Sequence, residues 1–512
     1  MPVQWAGLAP PLLVDVRRDA GLPLRAQLEA GLRDAIRSGR LPVGERLPSS
    51  RELARQLGLS RGLVQECYGQ LQAEGYLTSV VGSGTRVAAG AAPASASASA
   101  SASASTTSAA ASATTAATMA SATSAASATS AASGQPHPAT LTPTRPRPRI
   151  DFASGVPDLS AFPREDWAWA VREACRTVAV ADLDYGDPRG DPRLREVLAG
   201  YAGRVRAAVT DREHVLVCSG FAQGATLVLR TLARAGYRRI ALENPGNGDP
   251  ARSASSRAAL RIGGELLHVP VDEHGVDVDA LAASGAQVVV VTPAHQSPTG
   301  VVLTAERRHA LVAWARATDG FVVEDDYDSE FRYDRDPVGV LQGLAPERVF
   351  TVGTVSKSLA PTIRVGWVLA PPAFAAALAE EKLLADRGTP GLDQRALALL
   401  VESGRFDRHL RRMRARYARR RTAVVAALAR HAPAVRLTGL AAGFHAVAHL
   451  PDGVDEPHVV AEAARRGVGL YGMSAFRADG ATTPPQLVLG FGNLGDRAVA
   501  EGIATVADLL AP

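Results

Sequence analysis

The sequence predicts an α/β protein with a small helical N-terminal part and a large C-terminal domain built on a mostly parallel sheet. At 512 residues, the chain exceeds one ordinary domain. A tract of alternating Ala, Ser and Thr divides it. Beyond this tract, apolar runs alternate with helical patterns, which is typical of a parallel sheet covered by helices. We therefore expect domains at residues 10–87 and 150–512, joined by a linker at 88–149.

The composition favours a soluble globular protein. Apolar residues make up 46% and charged residues 21%, a balance that excludes a fully disordered or membrane-spanning chain. The sequence has no signal peptide and no run of about 18 apolar residues, so we expect a cytoplasmic location. Cys67, Cys175 and Cys218 are far apart in the sequence. Their spacing indicates neither a zinc site nor a disulfide framework, so we expect no metal.

The positive charge is almost entirely arginine. The net charge is +5, and Lys357 and Lys382 are the only lysines. Arginine suits phosphate-rich partners because its guanidinium grips phosphate at two points. An ordinary solvated basic surface would give the same composition.

The tract from Ala88 to about Arg149 is predicted to be a flexible linker. Its small residues bury too little apolar surface to offset the entropy lost when the backbone is ordered. A long alanine-rich helix is the alternative. The repeated Ser and Thr, which compete for backbone hydrogen bonds, count against that helix.

Three short helices are predicted ahead of the linker. The first lies between Pro23 and Gly39, where leucine or isoleucine recurs at every fourth position. The second is capped by Ser49 or Ser50 and ends at Gly58, and the third follows the cap Ser60 and ends at Gly75. The tight turn at residues 58–60 is the spacing of a helix-turn-helix.

A β-hairpin is predicted after the third helix, with strands at residues 76–81 and 85–87 and a glycine-containing turn between them. Three helices followed by such a hairpin indicate a winged helix-turn-helix, whose third helix enters the major groove of DNA. Arg61 is placed to bond guanine at two points, and Ser60 to hold a phosphate. For Arg46, Arg51 or Arg61 taken alone, an ordinary solvated surface charge is the alternative. The expected DNA-contacting residues are Arg46, Ser50, Arg51, Ser60, Arg61, Gln65, Gly82, Ser83 and Gly84.

This stretch resembles the GntR family of repressors over about residues 20–87. The matching motifs are Gly44-Glu45-Arg46-Leu47-Pro48-Ser49-Ser50-Arg51-Glu52-Leu53-Ala54, Leu59-Ser60-Arg61 and Gly75-Tyr76-Leu77. The resemblance implies binding to double-stranded operator DNA, usually as a dimer, with Arg51, Ser60, Arg61 and the wing as contacts. Because this chain has Gly62-Leu63 where many members have Thr-Thr or Arg-Thr, base preference does not carry over.

Five apolar runs beyond the linker predict strands, at residues 215–218, 240–243, 288–292, 321–325 and 349–353. Ligands of such sheets bind at the C-terminal ends of the strands. Pyridoxal phosphate needs a lysine for its aldehyde, a carboxylate for its ring nitrogen, a hydroxyl for its ring oxygen, and hydroxyls with an arginine for its phosphate. The residues that supply this set are Asp325, Tyr327, Thr354, Ser356, Lys357 and Arg364.

A second phosphate-binding device is predicted at Ser219-Gly220-Phe221-Ala222, where a strand runs into a helix whose first N–H groups face the ligand. A surface position is the alternative for Lys357. Its place directly after a buried strand, in a chain that otherwise uses arginine, favours the site. Lys382, in a run of Ala, Leu and Glu, is expected on an exposed helix face.

Residues 150 to 512 resemble the fold-type I aminotransferases. Further matches are Tyr185-Gly-Asp-Pro-Arg-Gly190 with Leu194-Arg195, and His295-Gln-Ser-Pro-Thr-Gly300. With the N-terminal part, the whole chain resembles the MocR subgroup of GntR regulators. The resemblance implies that Lys357 is the Schiff-base lysine, Asp325 the ring-nitrogen partner and Tyr327 the ring-oxygen partner. It makes phosphate ligands of Thr354, Ser356, Arg364 and the backbone of residues 220–222, with Tyr185 reaching across a head-to-tail homodimer.

Three positions depart from the aminotransferase pattern. Asn247 stands where an aromatic ring usually stacks on the cofactor. Ser297 replaces an asparagine that usually bonds the ring oxygen of the cofactor, so His295 or Gln296 is the candidate to make that bond instead. Val488 occupies the place of the arginine that binds the substrate carboxylate, and Arg477 is the candidate substitute. A lost charged hydrogen bond costs about 1.5–3 kcal/mol, so we expect cofactor binding to survive and efficient turnover to be lost.

The favoured hypothesis is a transcriptional regulator that senses pyridoxal phosphate, or an amine or amino-acid effector, through an aminotransferase-like domain. An active aminotransferase with an appended DNA-binding domain is the alternative. A third hypothesis is a dimerisation scaffold without cofactor.

Overall fold

The structure is a computed structural model that describes residues 14, 16–18, 23–80, 84–88, 148–246, 253–333 and 338–510. The linker therefore lies almost wholly outside the described residues, as do Gly82, Ser83 and Asn247. Among the described residues, no helix is long and apolar enough to cross a membrane.

The N-terminal part, here called the head, has the three predicted helices: α1 (Leu24–Arg37), α2 (Ser50–Leu57) and α3 (Arg61–Ala73). Ser49 caps α2 by accepting a hydrogen bond from the Glu52 N–H at 3.2 Å, and Gly58 ends the helix in the left-handed conformation at φ 64°. Ser60 caps α3 by accepting from the Leu63 N–H at 3.2 Å. Strands β1 (Leu77–Val80) and β2 (Gly84–Val87) pair antiparallel and form the predicted wing.

The C-terminal part, here called the body, contains the remaining strands and helices. Its strands are β3 (Ile150–Asp151), β4 (Val215–Cys218), β5 (Arg239–Asn244), β6 (Glu265–Asp272), β7 (Gly275–Val276), β8 (Val288–Val291), β9 (Phe321–Asp326), β10 (Val349–Thr354), β11 (Gly366–Leu369), β12 (Arg436–Thr438), β13 (His445–His449), β14 (Val468–Gly469) and β15 (Gln486–Gly490). Its helices are α4 (Arg164–Thr177), α5 (Pro192–Arg206), α6 (Phe221–Arg234), α7 (Ala254–Arg261), α8 (Val278–Ala283), α9 (Ala305–Ala317), α10 (Ala375–Asp386), α11 (Gly391–Glu402), α12 (Arg405–His431), α13 (Glu456–Arg465) and α14 (Asp496–Leu510).

Eight strands form the main sheet in the order β4-β11-β10-β9-β8-β5-β6-β7. From β10 to β6 all neighbours are parallel, whereas β11 runs antiparallel to both β4 and β10. The central strands are buried along their length, which explains their continuous apolar runs. All five predicted strands are confirmed. A second sheet, in the order β12-β13-β15, lies in the C-terminal third of the chain.

The head packs against the body through one shared hydrophobic core. Leu28, Leu32 and Leu71 of the head belong to the same buried cluster as Val312 and Val322 of the body. Polar contacts border this core. The Tyr76 hydroxyl donates to the Gly343 carbonyl at 3.2 Å, and the Arg37 guanidinium donates to the Ala207 carbonyl.

The prediction for Lys382 was wrong. Its side chain is fully buried, with 0% exposed, because α10 packs against α6. Its Nζ donates to Gln223 Oε1 at 3.0 Å and to Asp386 Oδ2 at 2.8 Å. A buried ammonium needs such hydrogen-bond partners. The sequence pattern of α10 alone does not show that α6 supplies one of them.

Candidate functional site

The central cavity of the body opens where β9 and β10 end and where α6 begins. Its volume is about 400 Å³. Six of the predicted cofactor residues line it together with two from the glycine loop: Asp325, Tyr327, Thr354, Ser356, Lys357, Arg364, Phe221 and Ala222. Strand ends and a helix N-terminus therefore meet at one place, as expected for a parallel sheet with crossover helices.

Lys357 lines this cavity, and its Nζ donates to the Gly155 carbonyl at 2.5 Å. Burial lowers the pKa of its ammonium, and the charges of Asp325 and Asp328 oppose this effect. A lowered lysine pKa increases the share of neutral amine, which is the form that attacks an aldehyde.

Asp325 has an unused buried oxygen. Its Oδ1 has no hydrogen-bond partner among the described residues, and its side chain is buried at the end of β9. Burial raises the pKa of this carboxyl well above its usual range, although the charge of Lys357 opposes the shift. A buried carboxylate without a donor is costly, so the site fits a ligand that brings a charged N–H, as a protonated pyridine ring does.

The Tyr327 hydroxyl donates to the His295 carbonyl at 2.9 Å and lies 3.2 Å from His295 Nδ1. That nitrogen is also 2.8 Å from Asp328 Oδ2. Burial raises the pKa of the Tyr327 phenol well above its usual range, so the group stays protonated and is able to donate.

The predicted phosphate-binding residues Thr354, Ser356 and Arg364 line the cavity together, and Gly220 lies beside Arg364 at the start of α6. Gly220 has φ 84°, and a Cβ at this position would lie 3.2 Å from Arg364 Nη1, so glycine lets the guanidinium approach the start of α6. Arg364 donates to the Ser219 carbonyl. Thr354 Oγ1 donates to Ser356 Oγ at 2.9 Å. Hydroxyls, a guanidinium and a helix N-terminus are the donors that a phosphate needs.

The remaining predicted positions lie in different places. Tyr185 is 72% exposed and lies outside the residues that line the cavity, with the Arg387 guanidinium 4.3 Å from its ring centre. Ser297 lines the cavity. Gln296 turns away, because its Nε2 donates to the Pro245 carbonyl at 2.9 Å.

The two residues considered for a substrate carboxylate are both engaged elsewhere. Val488 is fully buried in a small apolar cluster with Val447 and Met473. The Arg477 guanidinium donates to the Ala481 carbonyl at 2.7 Å, to the carbonyls of residues 483 and 484, and to Gln486 Oε1 at 2.7 Å. These contacts leave Arg477 bound to its own loop.

Several cavity residues were missed by the sequence reasoning. Gly155 approaches Lys357 from more than 200 positions earlier in the chain, and His445 and Phe476 come from the second sheet and its neighbouring loop. No local pattern marks them, because their position depends on packing between distant segments. The other missed lining residues are Ser154, Ser253, Ala254 and Pro361.

The predicted DNA-contacting surface is formed by α2, α3 and the wing. Arg46, Arg51, Ser60, Arg61 and Gln65 are all exposed, and Ser50 is half-buried at the first residue of α2. A Cβ on Gly84 would lie 3.0 Å from Arg46 Nε, so the Arg46 side chain lies over the wing. Exposed arginines beside a helix N-terminus suit phosphate and base contacts.

Known families match both parts of the chain. The family described as bacterial regulatory proteins, gntR family, matches residues 24–87, and aminotransferase class I and II matches residues 147–466. The HTH-type pyridoxine biosynthesis transcriptional regulator PdxR of Corynebacterium glutamicum is 30% identical, over 97% of this chain and 98% of that protein. The probable rhizopine catabolism regulatory protein MocR of Rhizobium meliloti is 31% identical, over 95% of this chain and 93% of that protein.

A solved structure matches the body. The kynurenine aminotransferase of Pyrococcus horikoshii superposes with a TM-score of 0.62 at 27% identity, covering 70% of this chain and 90% of that one. Fold and site thus define a winged-helix DNA-binding regulator with an aminotransferase-like domain of fold type I. The chain belongs to the MocR subgroup of the GntR family of transcriptional regulators.

Proposed function

We propose that this transcriptional regulator holds pyridoxal 5'-phosphate on Lys357 and that the cofactor, alone or with an amine or amino-acid effector, sets its affinity for operator DNA. The orphaned Oδ1 of Asp325 carries the proposal, because a protonated ring nitrogen supplies the hydrogen bond that this buried oxygen lacks. When bound, the cofactor supplies an aldehyde for the lysine amine. We also propose that the chain divides into a DNA-binding domain at residues 10–87, a linker at 88–149 and an aminotransferase-like domain at 150–512.

Each residue of the cavity has a defined part. Lys357 forms the covalent link, and Asp325 holds the proton on the ring nitrogen. The Tyr327 hydroxyl, whose one proton goes to the His295 carbonyl in the structure, donates to the ring oxygen instead when the cofactor is bound. Thr354, Ser356, Arg364 and the backbone of residues 220–222 bind the phosphate. The lowered pKa of Lys357 supports the first part, and the raised pKa of Tyr327 supports the donor role of its hydroxyl.

We propose a homodimer formed around Tyr185. The exposed apolar side chains there are Val180, Leu183, Tyr185, Leu383 and Leu384. The Arg387 guanidinium, just after α10, lies over the Tyr185 ring. Exposed apolar patches of this kind mark interfaces. Across such an interface, Tyr185 reaches the partner's cavity rather than its own.

We propose that transamination is slow. A plain amino acid has no arginine to bind its carboxylate, since Val488 is apolar and Arg477 is bound to its own loop. An expected loss of about 1.5–3 kcal/mol per missing charged hydrogen bond lowers turnover by about 10- to 150-fold.

The test is to load the purified protein with pyridoxal phosphate, reduce it with borohydride and map the modified peptide by mass spectrometry. The expected adduct lies on Lys357, and Lys357→Ala carries none. Lys382→Arg is the matched control, because it changes the other lysine. An adduct elsewhere, or no uptake of the cofactor, contradicts the proposal. The amount of keto acid formed from added amino acids measures turnover in the same preparation.

A further inference from the structure

Helix α12 concentrates positive charge on the surface of the body. Its 27 residues contain ten arginines and one aspartate. This single helix therefore carries more positive charge than the whole chain, whose net charge is +5. An even scatter of arginine over a basic protein does not produce such a concentration, so the helix is a candidate surface for an anionic partner.

The buried and exposed faces of α12 are sharply divided. Four arginines, here called the basic row, are exposed on one side of the helix: Arg408, Arg411, Arg412 and Arg419. Positions three, four and seven residues apart lie on the same side of a helix, which places the four guanidiniums together. The opposite face packs into the main core of the body through Phe406, Leu410, Met413, Tyr417 and Val424.

Carboxylates neutralise the arginines on the flanks of α12 but not most of the basic row. Asp158 and Asp166 form the ion pairs on these flanks. Within the row, Arg412 lies 3.8 Å from Asp166, and its side chain is 62% exposed. The other three members of the row make no ion pair with any residue that the structure describes. Like charges one turn apart repel, so the row favours a partner that brings negative charge.

The dimensions of the basic row fit the backbone of duplex DNA. From Arg408 to Arg419 the helix rises roughly 16 Å, and one DNA strand presents about five phosphates over that length of the duplex axis. Arg412 and Arg419 also border a cleft of about 360 Å³, which gives a phosphate room to approach both guanidiniums. The planar guanidinium holds phosphate at two points.

The basic row begins close to the junction of the head and the body. Asp407, the residue before Arg408, lies 3.7 Å from Arg204 at the end of α5. Three residues further along the chain, the Ala207 carbonyl accepts the hydrogen bond from Arg37 of the head. The row therefore starts near the DNA-binding part of the chain, and operator binding by the head brings a polyanion to this side of the body.

We propose that the basic row binds the phosphate backbone of the DNA that flanks the operator, so that the body makes a second contact with DNA that does not depend on base sequence. This inference rests on the proposed function, since the head must first hold the operator. Each phosphate that the row neutralises releases counterions, so the second contact increases the salt dependence of binding.

The test compares two duplexes that share one operator. The operator is selected from a pool of random duplexes with the full-length protein. It is then used as a short duplex that ends at the selected sequence and as a long duplex with unrelated sequence on both sides. Fluorescence anisotropy at several salt concentrations measures Kd for each. We expect the long duplex to bind at least about 10-fold more tightly at low salt, with a steeper dependence of log Kd on log salt concentration.

Matched triple variants assign this gain to the basic row. Combining Arg408→Ala, Arg411→Ala and Arg419→Ala is expected to remove most of the gain and to reduce the salt slope for the long duplex by about 2–3, slightly less than one per lost phosphate contact. The same positions changed to Lys keep part of the gain, because lysine also binds phosphate. The control for net charge changes three exposed arginines on other elements of the body to Ala: Arg261, Arg436 and Arg465.

Affinity for the short duplex shows whether each variant is folded, and it is expected to be equal in the alanine variant and the control. Two results overturn the inference while the proposed function stands. One is an equal gain and salt slope in the alanine variant and the control. The other is an altered oligomeric state of the alanine variant in sedimentation, which would assign the row to a contact between copies of the chain. Failure of the wild-type protein to select any operator overturns the proposed function and, with it, this inference.

Discussion

Asp325 shows how a single residue prepares the cavity for a charged ligand. Burial raises the pKa of its carboxyl, and the nearby Lys357 opposes the shift. Its Oδ1 has no hydrogen-bond partner among the described residues. A ligand with a protonated ring nitrogen meets both needs of this carboxylate, because its positive charge stabilises the buried negative charge and its N–H donates to Oδ1.

Asp325→Asn is therefore expected to weaken binding of pyridoxal phosphate. The variant keeps the shape but loses a charge-assisted hydrogen bond worth about 1.5–3 kcal/mol, which corresponds to about 10- to 150-fold in Kd. Titration followed by cofactor absorbance measures the change. Asp452→Asn, at an exposed site, is the control. Equal affinity of wild type and Asp325→Asn would show that the carboxylate does not meet the ring.

The residues of the cavity were predictable one by one where they lie at the end of a strand. Asp325 lies one residue before the end of β9, Tyr327 follows that strand directly, and Lys357 comes three residues after β10, so the strand pattern placed all three at one edge of the sheet. His445 and Phe476 were not predictable, because β13 and the loop after β14 reach the cavity only through packing between distant segments. Lys382 failed for a related reason: its partner Gln223 lies on another helix.

At the scale of elements, α3 presents a polar first turn to solvent. The Ser60 side chain caps the helix by accepting from the Leu63 N–H, and the inner face of the helix buries Val64, Cys67 and Leu71. The caps and glycines of the head were predictable because they are local signals. The antiparallel strand β11 was not, since direction within a sheet depends on partners far away in sequence.

Arg61→Ala is expected to weaken operator binding by about 1–3 kcal/mol, or about 5- to 150-fold in Kd, and to relax the preference for the base it contacts. Gel-shift titrations with operator and scrambled DNA measure both effects. Arg176→Ala, at an exposed arginine on α4 of the body, is expected to change neither. An unaltered shift with Arg61→Ala would remove this residue from the contact surface.

Strand β9 also carries Glu324, whose Oε2 accepts from the Leu341 N–H and from Thr351 Oγ1, each at 3.0 Å. Burial raises the pKa of this carboxyl from 4.5 to about 7. The folded protein therefore binds a proton at the Glu324 carboxyl more tightly than the unfolded chain does. The resulting stability is fully present below pH 4.5 and is lost as pH rises through about 7.

Glu324→Gln is expected to lose less stability than wild type between pH 5 and pH 8. The difference is on the order of 3 kcal/mol, set by the size of the pKa shift. Urea unfolding at both pH values measures it. Glu273→Gln, at an exposed glutamate, should follow the wild-type curve. Parallel pH profiles for wild type and Glu324→Gln would place the ionisable group elsewhere.

At the scale of the whole molecule, the head is tied to the body beside β9. Glu324 accepts from the Leu341 N–H, and two residues later the Gly343 carbonyl accepts from Tyr76 of the head. Asp326 pairs with Arg206 at 2.6 Å, and the next residue, Ala207, accepts from Arg37 of the head. Two short paths of packed, hydrogen-bonded groups therefore join the strand of Asp325 to the DNA-binding part.

Arg37→Ala is expected to reduce the effect of pyridoxal phosphate on operator affinity, because Arg37 makes the last contact of one path and also donates to the Tyr76 hydroxyl of the other. Couplings between sites in proteins are typically worth about 1–3 kcal/mol, so the ratio of operator Kd values with and without cofactor should fall toward one. Fluorescence anisotropy with labelled operator measures this ratio. Arg40→Ala removes an arginine that pairs with Asp34 inside the head and should leave the ratio unchanged.

The alternation of side chains along β9 has a consequence for how this protein can vary. Asp325 is turned to the cavity, while Glu324 and Asp326 on either side of it face the groups that hold the head. A slip of one residue exchanges the two sides of a strand. Inserting or deleting a single amino acid here would therefore present the wrong carboxylates to both partners, so the length of this stretch is fixed by the two sides of the strand together.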